Sequence, residues 1–239
     1  MIEIVIPMAG AGSRFKQAGY TLPKPFIDVA GKMMIEHVLD SVQVKYARYT
    51  LIIQERFLSE NEDRITYIKH KYPVRFATVK KLTQGASCTA LAAHKTINLD
   101  NLVVFVDSDN IFDNDVFNDF IDDAKARDID GSLLTFPSKD NKFSYAEIGE
   151  NGFVINTKEK ETISKYAIAG AYLFKKASYF FDNAIEMLIY GDKTKNEYYM
   201  SNVFNYAISN KLKIGIYEAA KENIQCVGTP ELLKNYLKK

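Results

Sequence analysis

The stretch that decides the fold is Ile2-Glu3-Ile4-Val5-Ile6-Pro7, which runs directly into Met8-Ala9-Gly10-Ala11-Gly12-Ser13. The first part is a short apolar run, which is typical of a buried strand. The second part contains two glycines, which allow the backbone to turn tightly and to present bare N–H groups to an anion. The stretch therefore predicts a strand that ends in an anion-binding turn.

Two cations accompany this turn. Arg14 supplies a guanidinium that is always charged, and Lys24 supplies a mobile point charge within a Pro-Lys-Pro motif. Gly10 and Gly12 alone would also fit a plain strand-to-helix turn without a ligand. Together with the two cations, the glycines favour a site for the phosphates of a nucleoside triphosphate.

The residues after Gly12 exclude two other phosphate-binding loops. A Walker loop continues with lysine and then serine or threonine, whereas Ser13 and Arg14 follow here. A dinucleotide-binding turn needs a third glycine, and Phe15 occupies that position. The turn therefore belongs to neither class.

The order of these motifs resembles that of the sugar-phosphate nucleotidyltransferases, and most of all their capsule-locus branch. The family continues with a helix start similar to Gly31-Lys32-Met33-Met34-Ile35, with proline where Met33 stands. The resemblance is strong over residues 2–41, clear at 102–112 and 144–174, and weaker elsewhere. It implies a Rossmann-like, GT-A-type α/β/α sandwich. It also implies an enzyme that transfers a nucleotidyl group from a nucleoside triphosphate to a phosphorylated sugar or sugar-like acceptor, for capsule or surface polysaccharide precursors.

Strand-like and helical segments alternate in the first half of the chain. The strands are predicted at Ile2–Pro7, Tyr49–Gln54, Val74–Val79, Leu102–Val106 and Gly131–Phe136. The helices are predicted at Met33–Lys45, Leu58–His70, Ala86–Ile97 and Asn114–Arg127. This alternation predicts an α/β fold with a mainly parallel central sheet that is covered on both faces. Ligands of such sheets bind beyond the carboxyl ends of the strands.

The second half of the chain has a different pattern. Tyr145–Gly149 and Phe153–Lys158 predict a hairpin, and Tyr166–Phe174 predicts a further strand. Later elements are predicted at Lys175–Ile189 and Tyr199–Ser209 (helices), Leu212–Tyr217 (strand) and after Thr229 (a capped helix). No flexible linker separates the halves. We therefore expect one domain over residues 1–239, with a small acceptor-side sheet.

The composition limits the partners of the protein. A formal net charge of +1 gives no support to nucleic-acid binding, which needs a basic face. No apolar stretch is long enough to cross a membrane, and no signal peptide is evident, so we expect a cytoplasmic protein without a membrane partner. Two cysteines do not form a disulfide framework, and the three histidines lack metal-ligand spacing. The tyrosine-rich second half is compatible with a homodimer.

The strand at residues 102–106 ends in Asp107-Ser108-Asp109. Carboxylates at this place are hard oxygen ligands that suit Mg²⁺ shared with phosphates. The resemblance implies that Asp109 binds the metal. Asp107 is an additional acid that makes an Asp-x-Asp pattern and is a second candidate metal ligand, and Ser108 is assigned to the nucleotide. The alternative is a polar loop without a ligand. Asp113 is expected only to start the next helix.

Gln84 and Gly85 precede a predicted helix, at a place where the resemblance implies contact with the nucleobase. A glutamine amide both donates and accepts hydrogen bonds, as the edge of a pyrimidine requires, which favours CTP or UTP. The alternative is structural, with Thr83 as the cap of the helix.

Three charged residues are assigned to the acceptor by resemblance. Lys160 is expected to hold the phosphate of the acceptor and Glu159 a hydroxyl group, while Glu197 is a further acid on this side. Alternating charges are otherwise common on solvated surfaces. In relatives a second metal-binding aspartate often stands two residues before the glycine of Gly228-Thr229-Pro230. Cys226 occupies this position here, and thiols are poor ligands for Mg²⁺.

These roles suggest in-line attack of an acceptor phosphate on the α-phosphorus. Arg14 would hold the departing pyrophosphate, Lys24 the α-phosphate, and the backbone N–H groups of residues 10–13 the other phosphates. Two other functions remain open. A GT-A-type glycosyltransferase that uses a nucleotide sugar is favoured by Asp107-x-Asp109 and by Cys226. The other is a nucleotide-binding sensor without catalytic activity.

Overall fold

The computed structural model describes residues 1–238. The strands in this part of the chain are β1 (Ile2–Pro7), β2 (Asp28–Val29), β3 (Lys32–Met33), β4 (Ala47–Gln54), β5 (Val74–Val79), β6 (Leu102–Val106), β7 (Asn110–Phe112), β8 (Gly131–Pro137), β9 (Ser144–Ile148), β10 (Val154–Glu159), β11 (Tyr166–Phe174), β12 (Ile214–Glu218) and β13 (Ile224–Cys226). The α-helices are α1 (Ser13–Gln17), α2 (Met34–Ser41), α3 (Arg56–Glu60), α4 (Glu62–Lys71), α5 (Ala86–Ala90), α6 (Asn114–Ala126), α7 (Ala177–Tyr190), α8 (Met200–Ser209) and α9 (Pro230–Tyr236). Short 3-10 helices cover Lys24–Phe26, Leu91–Lys95 and Lys221–Asn223. No helix of residues 1–238 has the length and apolar character needed to cross a membrane.

One large sheet organises the molecule, with the strand order β10-β9-β11-β6-β1-β4-β5. β1 runs parallel to β4 and β6, and β4 runs parallel to β5. β11 runs antiparallel to β6 and also pairs with β8, which carries β12. The predicted α/β fold with a parallel sheet in the first half is therefore confirmed.

The sheet is buried on both faces. On β1, Ile4 and Ile6 pack into one apolar cluster and Val5 packs into the other, and all three are fully buried. Helices α2, α4 and α6 cover the first face, and α5, α7 and α8 cover the second. This α/β/α arrangement directs the carboxyl ends of β1 and β6 toward one edge, where ligands of such sheets bind.

The sequence had suggested a separate small sheet on the acceptor side, but the hairpin does not form one. β9 and β10 pair with each other, and β9 pairs with Tyr166 and Ala167 at the start of β11. The hairpin is thus an extension of the central sheet. Two-stranded sheets do occur elsewhere, formed by β2 with β3 and by β7 with β13.

Several helices differ in extent from the prediction. The segment predicted as one helix from Met33 begins only at Met34, because Lys32–Met33 is taken up by the β2–β3 ribbon. The helix expected over 58–70 is divided at Asn61 into α3 and α4, and the one over 86–97 changes from α-helix to 3-10 helix at Leu91. The helix starts predicted at Asp113 and Thr229 are confirmed, since Asp113 accepts hydrogen bonds from backbone N–H groups of α6 and Thr229 accepts one from the Leu232 N–H of α9.

Candidate functional site

A cleft of about 940 Å³ lies at the carboxyl ends of β1 and β6. Most of the residues predicted for the site line this cleft, namely Met8, Ala9, Gly10, Ala11, Gly12, Ser13, Arg14, Lys24, Gly85, Asp107, Ser108, Asp109, Glu159, Lys160 and Glu197. Gln84 is the exception, because it is exposed and does not line the cleft. The structure thus brings the nucleotide-side and acceptor-side candidates to one place.

The glycine-bearing turn is held in place by two contacts with β4. The backbone N–H of Met8 donates to the Ile52 carbonyl at 2.8 Å, and the Gln54 side chain donates to the Ala9 carbonyl at 2.7 Å. Gly12 has a φ of +61°, a left-handed conformation that favours glycine. The turn is therefore fixed on its sheet side while Gly10 and its neighbours stay exposed to the cleft.

Lys24 joins the turn to the acidic loop. Its ammonium nitrogen lies 2.5 Å from Oδ2 of Asp109, and these side chains keep 23% and 19% of their surface exposed. A methyl group on Gly12 would lie 3.4 Å from Cβ of Lys24, so the turn packs directly on this lysine. Arg14 is exposed at the start of α1. The nucleotide side of the cleft therefore carries one paired and one exposed cation.

Two glycines make room for the acidic loop. The N–H of Asp107 donates to the carbonyl of Gly170 at 2.8 Å, and a Cβ on Gly170 would lie only 2.5 Å from Oδ2 of Asp107. A Cβ on Gly228 would overlap the carboxylate of Asp109. The backbone therefore approaches Asp107 at Gly170 and Asp109 at Gly228, and any residue with a side chain at either position would collide with the acid.

The surroundings of the acids change their titration. Burial, together with the negative charge of Asp109, raises the pKa of Asp107 to about 8. Burial and the charge of Asp109 also raise the pKa of the Cys226 thiol to about 12. Cys226 lines the cleft but stays neutral, so it does not replace a carboxylate ligand.

The donor set fits a divalent cation only in part. Asp107 and Asp109 present carboxylate oxygens to the same cleft, as Mg²⁺ prefers. Across residues 1–238, no cluster of three or more His, Cys, Asp or Glu side chains is placed to hold a metal ion. The protein therefore offers two carboxylates, and phosphate and water oxygens would have to supply the other ligands.

The acceptor side centres on a buried carboxylate beside a lysine. Glu159 retains 6% side-chain exposure and accepts hydrogen bonds from the hydroxyls of Ser144 and, at 3.1 Å, Ser201. Burial raises the pKa of Glu159. The Lys160 ammonium lies 4.0 Å from Glu159 and donates to the Tyr199 hydroxyl at 2.8 Å. Lys160 itself has a left-handed φ of +56°, so its backbone is strained where its side chain meets the cleft.

A tight turn carries further residues into the acceptor side. Lys195 and Asn196 have φ values of +48° and +66°, and Thr194 and Glu197 exchange two backbone hydrogen bonds of 3.0 Å around them. Lys195, Glu197 and Tyr199 all line the cleft. Sequence reasoning missed Lys195 and Tyr199. Tyr199 could have been found, because it lies two residues after the predicted site residue Glu197. The sequence around Lys195 contains no feature that indicates a place in the cleft.

The nucleotide-side loop crosses the backbone of this acceptor segment. Gly85 has a φ of +137°, and a Cβ on it would overlap the backbone of Tyr198. The Tyr198 N–H donates to the Gln84 carbonyl at 2.8 Å, and the Ser87 hydroxyl donates to the Tyr198 carbonyl at 2.8 Å. Thr83 does not cap α5, as one alternative had it, because its hydroxyl donates instead to the Gly85 carbonyl at 3.1 Å.

Known proteins share both the sequence pattern and the fold. The bifunctional protein GlmU of Methanococcus aeolicus is 26% identical over 183 residues, which are 76% of this chain and 41% of that protein. The chain thus spans about two fifths of the length of this relative.

Solved structures extend the likeness to the whole chain. The nucleoside-diphosphate-sugar pyrophosphorylase of Vibrio cholerae RC9 has a TM-score of 0.85 and 24% identity, with 99% of this chain and 100% of that chain covered. The inositol-1-phosphate CTP transferase of T. maritima has a TM-score of 0.75 and 13% identity, with 100% and 96% covered. These two similarities establish the fold. The nucleotidyl transferase family model matches residues 4–223, and the chain therefore belongs to the nucleotidyl transferase family.

Proposed function

We propose that this protein transfers a nucleotidyl group from a nucleoside triphosphate to a phosphorylated sugar or sugar-like acceptor and releases pyrophosphate. The observation that carries the proposal is one cleft that is lined by two chemically different sets of residues. Arg14, Lys24 and the acidic loop form one set, and Glu159 with Lys160 forms the other. A triphosphate and a phosphorylated acceptor are the pair of ligands that these two sets suit.

In this reaction an oxygen of the acceptor phosphate forms a bond to the α-phosphorus. The bond between the α-phosphorus and the bridging oxygen breaks, and pyrophosphate leaves with the electron pair. The attacking oxygen is already anionic, so the protein needs no general base. Its task is to align two anions and to offset their repulsion.

The cations of the nucleotide side serve this task. The N–H groups of residues 10–13 and the guanidinium of Arg14 would hold the β- and γ-phosphates, and Lys24 would lie at the α-phosphate. Asp107 and Asp109 would hold Mg²⁺. The ion supplies positive charge at the phosphate oxygens when it is bound. Lys24 is already fixed against Asp109 at 2.5 Å, which pre-orients its charge.

The acceptor side would recognise a phosphate and a hydroxyl group. Lys160 supplies an ammonium for the phosphate, and Glu159 supplies a carboxylate that can accept from a hydroxyl. The solved relative from T. maritima is named for a phosphorylated polyol and for CTP. We therefore propose a phosphorylated sugar or polyol as acceptor and a pyrimidine nucleotide, CTP or UTP, as donor. Supply of capsule or surface polysaccharide precursors is proposed from the sequence resemblance.

One assay tests the proposal. The protein is incubated with Mg²⁺, each nucleoside triphosphate in turn and a panel of phosphorylated sugars and polyols, and released pyrophosphate is measured. We expect release only when a phosphorylated acceptor is present. Nucleotide binding without release in any combination would contradict the proposal and would favour the sensor function.

A glycosyltransferase is the second candidate. Two features favour it, namely the Asp107-x-Asp109 pattern and the neutral Cys226. Cys226 stands where nucleotidyltransferases often have a second metal-binding aspartate, so this protein supplies fewer metal ligands than such relatives do. The exposed Arg14 opposes a glycosyltransferase, because a nucleotide sugar has no pyrophosphate to release. Liberation of a nucleoside diphosphate from a nucleotide sugar, in the same assay format, would identify this function.

A further inference from the structure

One buried hydroxyl in the cleft has no partner in the protein. Tyr172 on β11 is 6% exposed and lines the cleft. Within residues 1–238, the Tyr172 hydroxyl makes no hydrogen bond. In the same residues, the polar side-chain atoms that are both unpaired and fully enclosed are Arg75 Nε and Ser132 Oγ, and the Tyr172 hydroxyl is not among them. The hydroxyl therefore reaches the cleft and not the core.

Among the other buried tyrosines of residues 1–238, only Tyr198 also lacks a hydrogen bond to its hydroxyl, and Tyr198 does not line the cleft. Tyr49 is 4% exposed, and its hydroxyl donates to the Val42 carbonyl at 3.1 Å and accepts from the Val44 N–H at 2.9 Å. Tyr145 is fully buried and donates to the Asp140 carbonyl at 2.8 Å. The Tyr172 hydroxyl bonds to no group of the protein, so phenylalanine would fill the same space without the loss of a hydrogen bond within the fold. The hydroxyl of Tyr172 thus indicates a ligand that accepts its hydrogen bond.

The backbone of β11 is shaped to place this side chain. The register of β11 against β8 shifts between Ile168 and Tyr172, and Gly170 within the shift has a φ of +78°. Bulges of this kind near a site re-aim the side chains that follow. The carbonyls of the bulge are satisfied by the acidic loop, since Asp107 N–H donates to Gly170 and the Asn110 amide donates to Ala169 at 3.0 Å. Tyr172 is therefore tied to the loop that carries the acids.

Tyr172 lines the same cleft as Asp107, Asp109 and Glu159. Burial, together with the negative charges of these three carboxylates, raises the pKa of Tyr172. The hydroxyl therefore keeps its proton and acts as a donor. In the proposed reaction, the attacking phosphate must lie between the acidic loop and Glu159.

We propose that the Tyr172 hydroxyl donates a hydrogen bond to the phosphate of the acceptor. This inference rests on the proposed function and adds a residue that contacts the reacting group. A neutral donor is suited to this place, because it holds an anionic phosphate among three carboxylates without adding a further charge to the cleft.

The test compares Tyr172→Phe with Tyr49→Phe, a buried tyrosine of similar exposure outside the cleft. For Tyr172→Phe we expect kcat/KM for the phosphorylated acceptor to fall about 10–100-fold, with an unchanged KM for the nucleoside triphosphate. The Tm without ligands should not fall, because the substitution removes no hydrogen bond within the protein. For Tyr49→Phe we expect a lower Tm and unchanged kinetics below that temperature. A wild-type kcat/KM for Tyr172→Phe would overturn the inference, as would an equal loss for both substrates.

A second measurement separates this inference from the proposed function. Inorganic phosphate should raise the Tm of the wild type more than that of Tyr172→Phe. Equal shifts in the two proteins would overturn the contact with phosphate. Different shifts, in a protein that releases no pyrophosphate with any acceptor, would support the contact and reject the proposed reaction.

Discussion

Arg14 and Lys24 differ in their surroundings, although both lie on the nucleotide side of the cleft. Lys24 is held at 2.5 Å from Asp109, whereas Arg14 is exposed. We expect Arg14→Ala and Lys24→Ala each to lower the rate of pyrophosphate release about 10²–10³-fold, because each removes a charge that stabilises the transferring phosphates. Steady-state kinetics with Mg²⁺ and the preferred nucleotide measure the effect.

Lys32→Ala is the matched control for these variants. Lys32 also forms an ion pair with an aspartate, at 2.7 Å from Asp40, but it does not line the cleft. Exposed pairs contribute about 0–1 kcal/mol, so we expect wild-type kinetics and a nearly unchanged Tm. The assignment of the two cleft cations would be wrong if both of their alanine variants also behaved in this way.

Asp107 makes the stability of the metal-free protein depend on pH. Its pKa is about 8 in the folded state against 3.8 in the unfolded chain, so the folded state binds more protons between these values. The contribution of Asp107 to the free energy of unfolding therefore falls as the pH rises toward 8. Asp107→Asn abolishes the titration, and its stability relative to the wild type should increase over the same range.

Thermal unfolding in EDTA at about pH 5.5, 7 and 8.5 tests this expectation. The wild type and Asp107→Asn are compared at each pH, so that other titrating groups cancel. A stability difference that does not change with pH would show that Asp107 titrates in the folded protein as it does in water.

Much of the nucleotide side of the site was predictable from local sequence. Arg14 and Asp109 lie a few residues beyond the ends of β1 and β6, Lys24 lies in the short 3-10 helix after α1, and the carboxyl ends of parallel strands meet at one edge. Gln84 lies outside the lining because Gly85 turns the chain at a φ of +137° toward Tyr198. Its contact with a base stays a prediction. This crossing depends on a segment far along the chain, which local patterns do not reveal.

Among the elements, β11 contributes most to the geometry of the site, through its bulge at Gly170. Gly170→Ala and Gly152→Ala provide a matched pair, because both glycines have a φ of +78°. A Cβ on Gly152 meets nothing within 4 Å, whereas one on Gly170 would overlap the Asn110 amide and crowd Asp107. Both variants carry a backbone strain of about 1–3 kcal/mol, and only Gly170→Ala should also displace the acidic loop.

We therefore expect Gly170→Ala to lower the free energy of unfolding more than Gly152→Ala and to reduce turnover strongly. Urea unfolding and pyrophosphate release measure the two effects. Similar losses for the two variants would mean that the close approach of Gly170 to Asp107 has no energetic consequence.

The strands were easier to predict than the small sheets. β1, β5, β6 and β11 have the predicted bounds, because each is an apolar run that turn residues delimit. β7 and β13 were missed, since each has three residues and forms only through pairing with the other. The hairpin strands were found, but their attachment to β11 depends on a pairing that no local pattern specifies.

At the scale of the whole molecule, one sheet crosses both halves of the chain. β6 from the first half pairs with β11 from the second, and β9 continues the sheet beyond it. This continuity supports the proposal of a single domain. We expect one cooperative unfolding transition in urea, with coincident curves from far-UV circular dichroism and from tyrosine fluorescence, since the chain has no tryptophan. Two separated transitions would indicate two domains.

The crossing of Gly85 with Tyr198 has a consequence for redesign. The loop that we propose for the nucleotide and the turn that we propose for the acceptor share backbone hydrogen bonds and leave no space for a side chain between them. In a chimera, one of these loops could be replaced by the loop of a relative that uses another donor or acceptor. The new loop would then not fit the backbone of the segment that it crosses. Exchange of residues 82–87 and 194–199 as one cassette should yield folded hybrids more often than exchange of either alone.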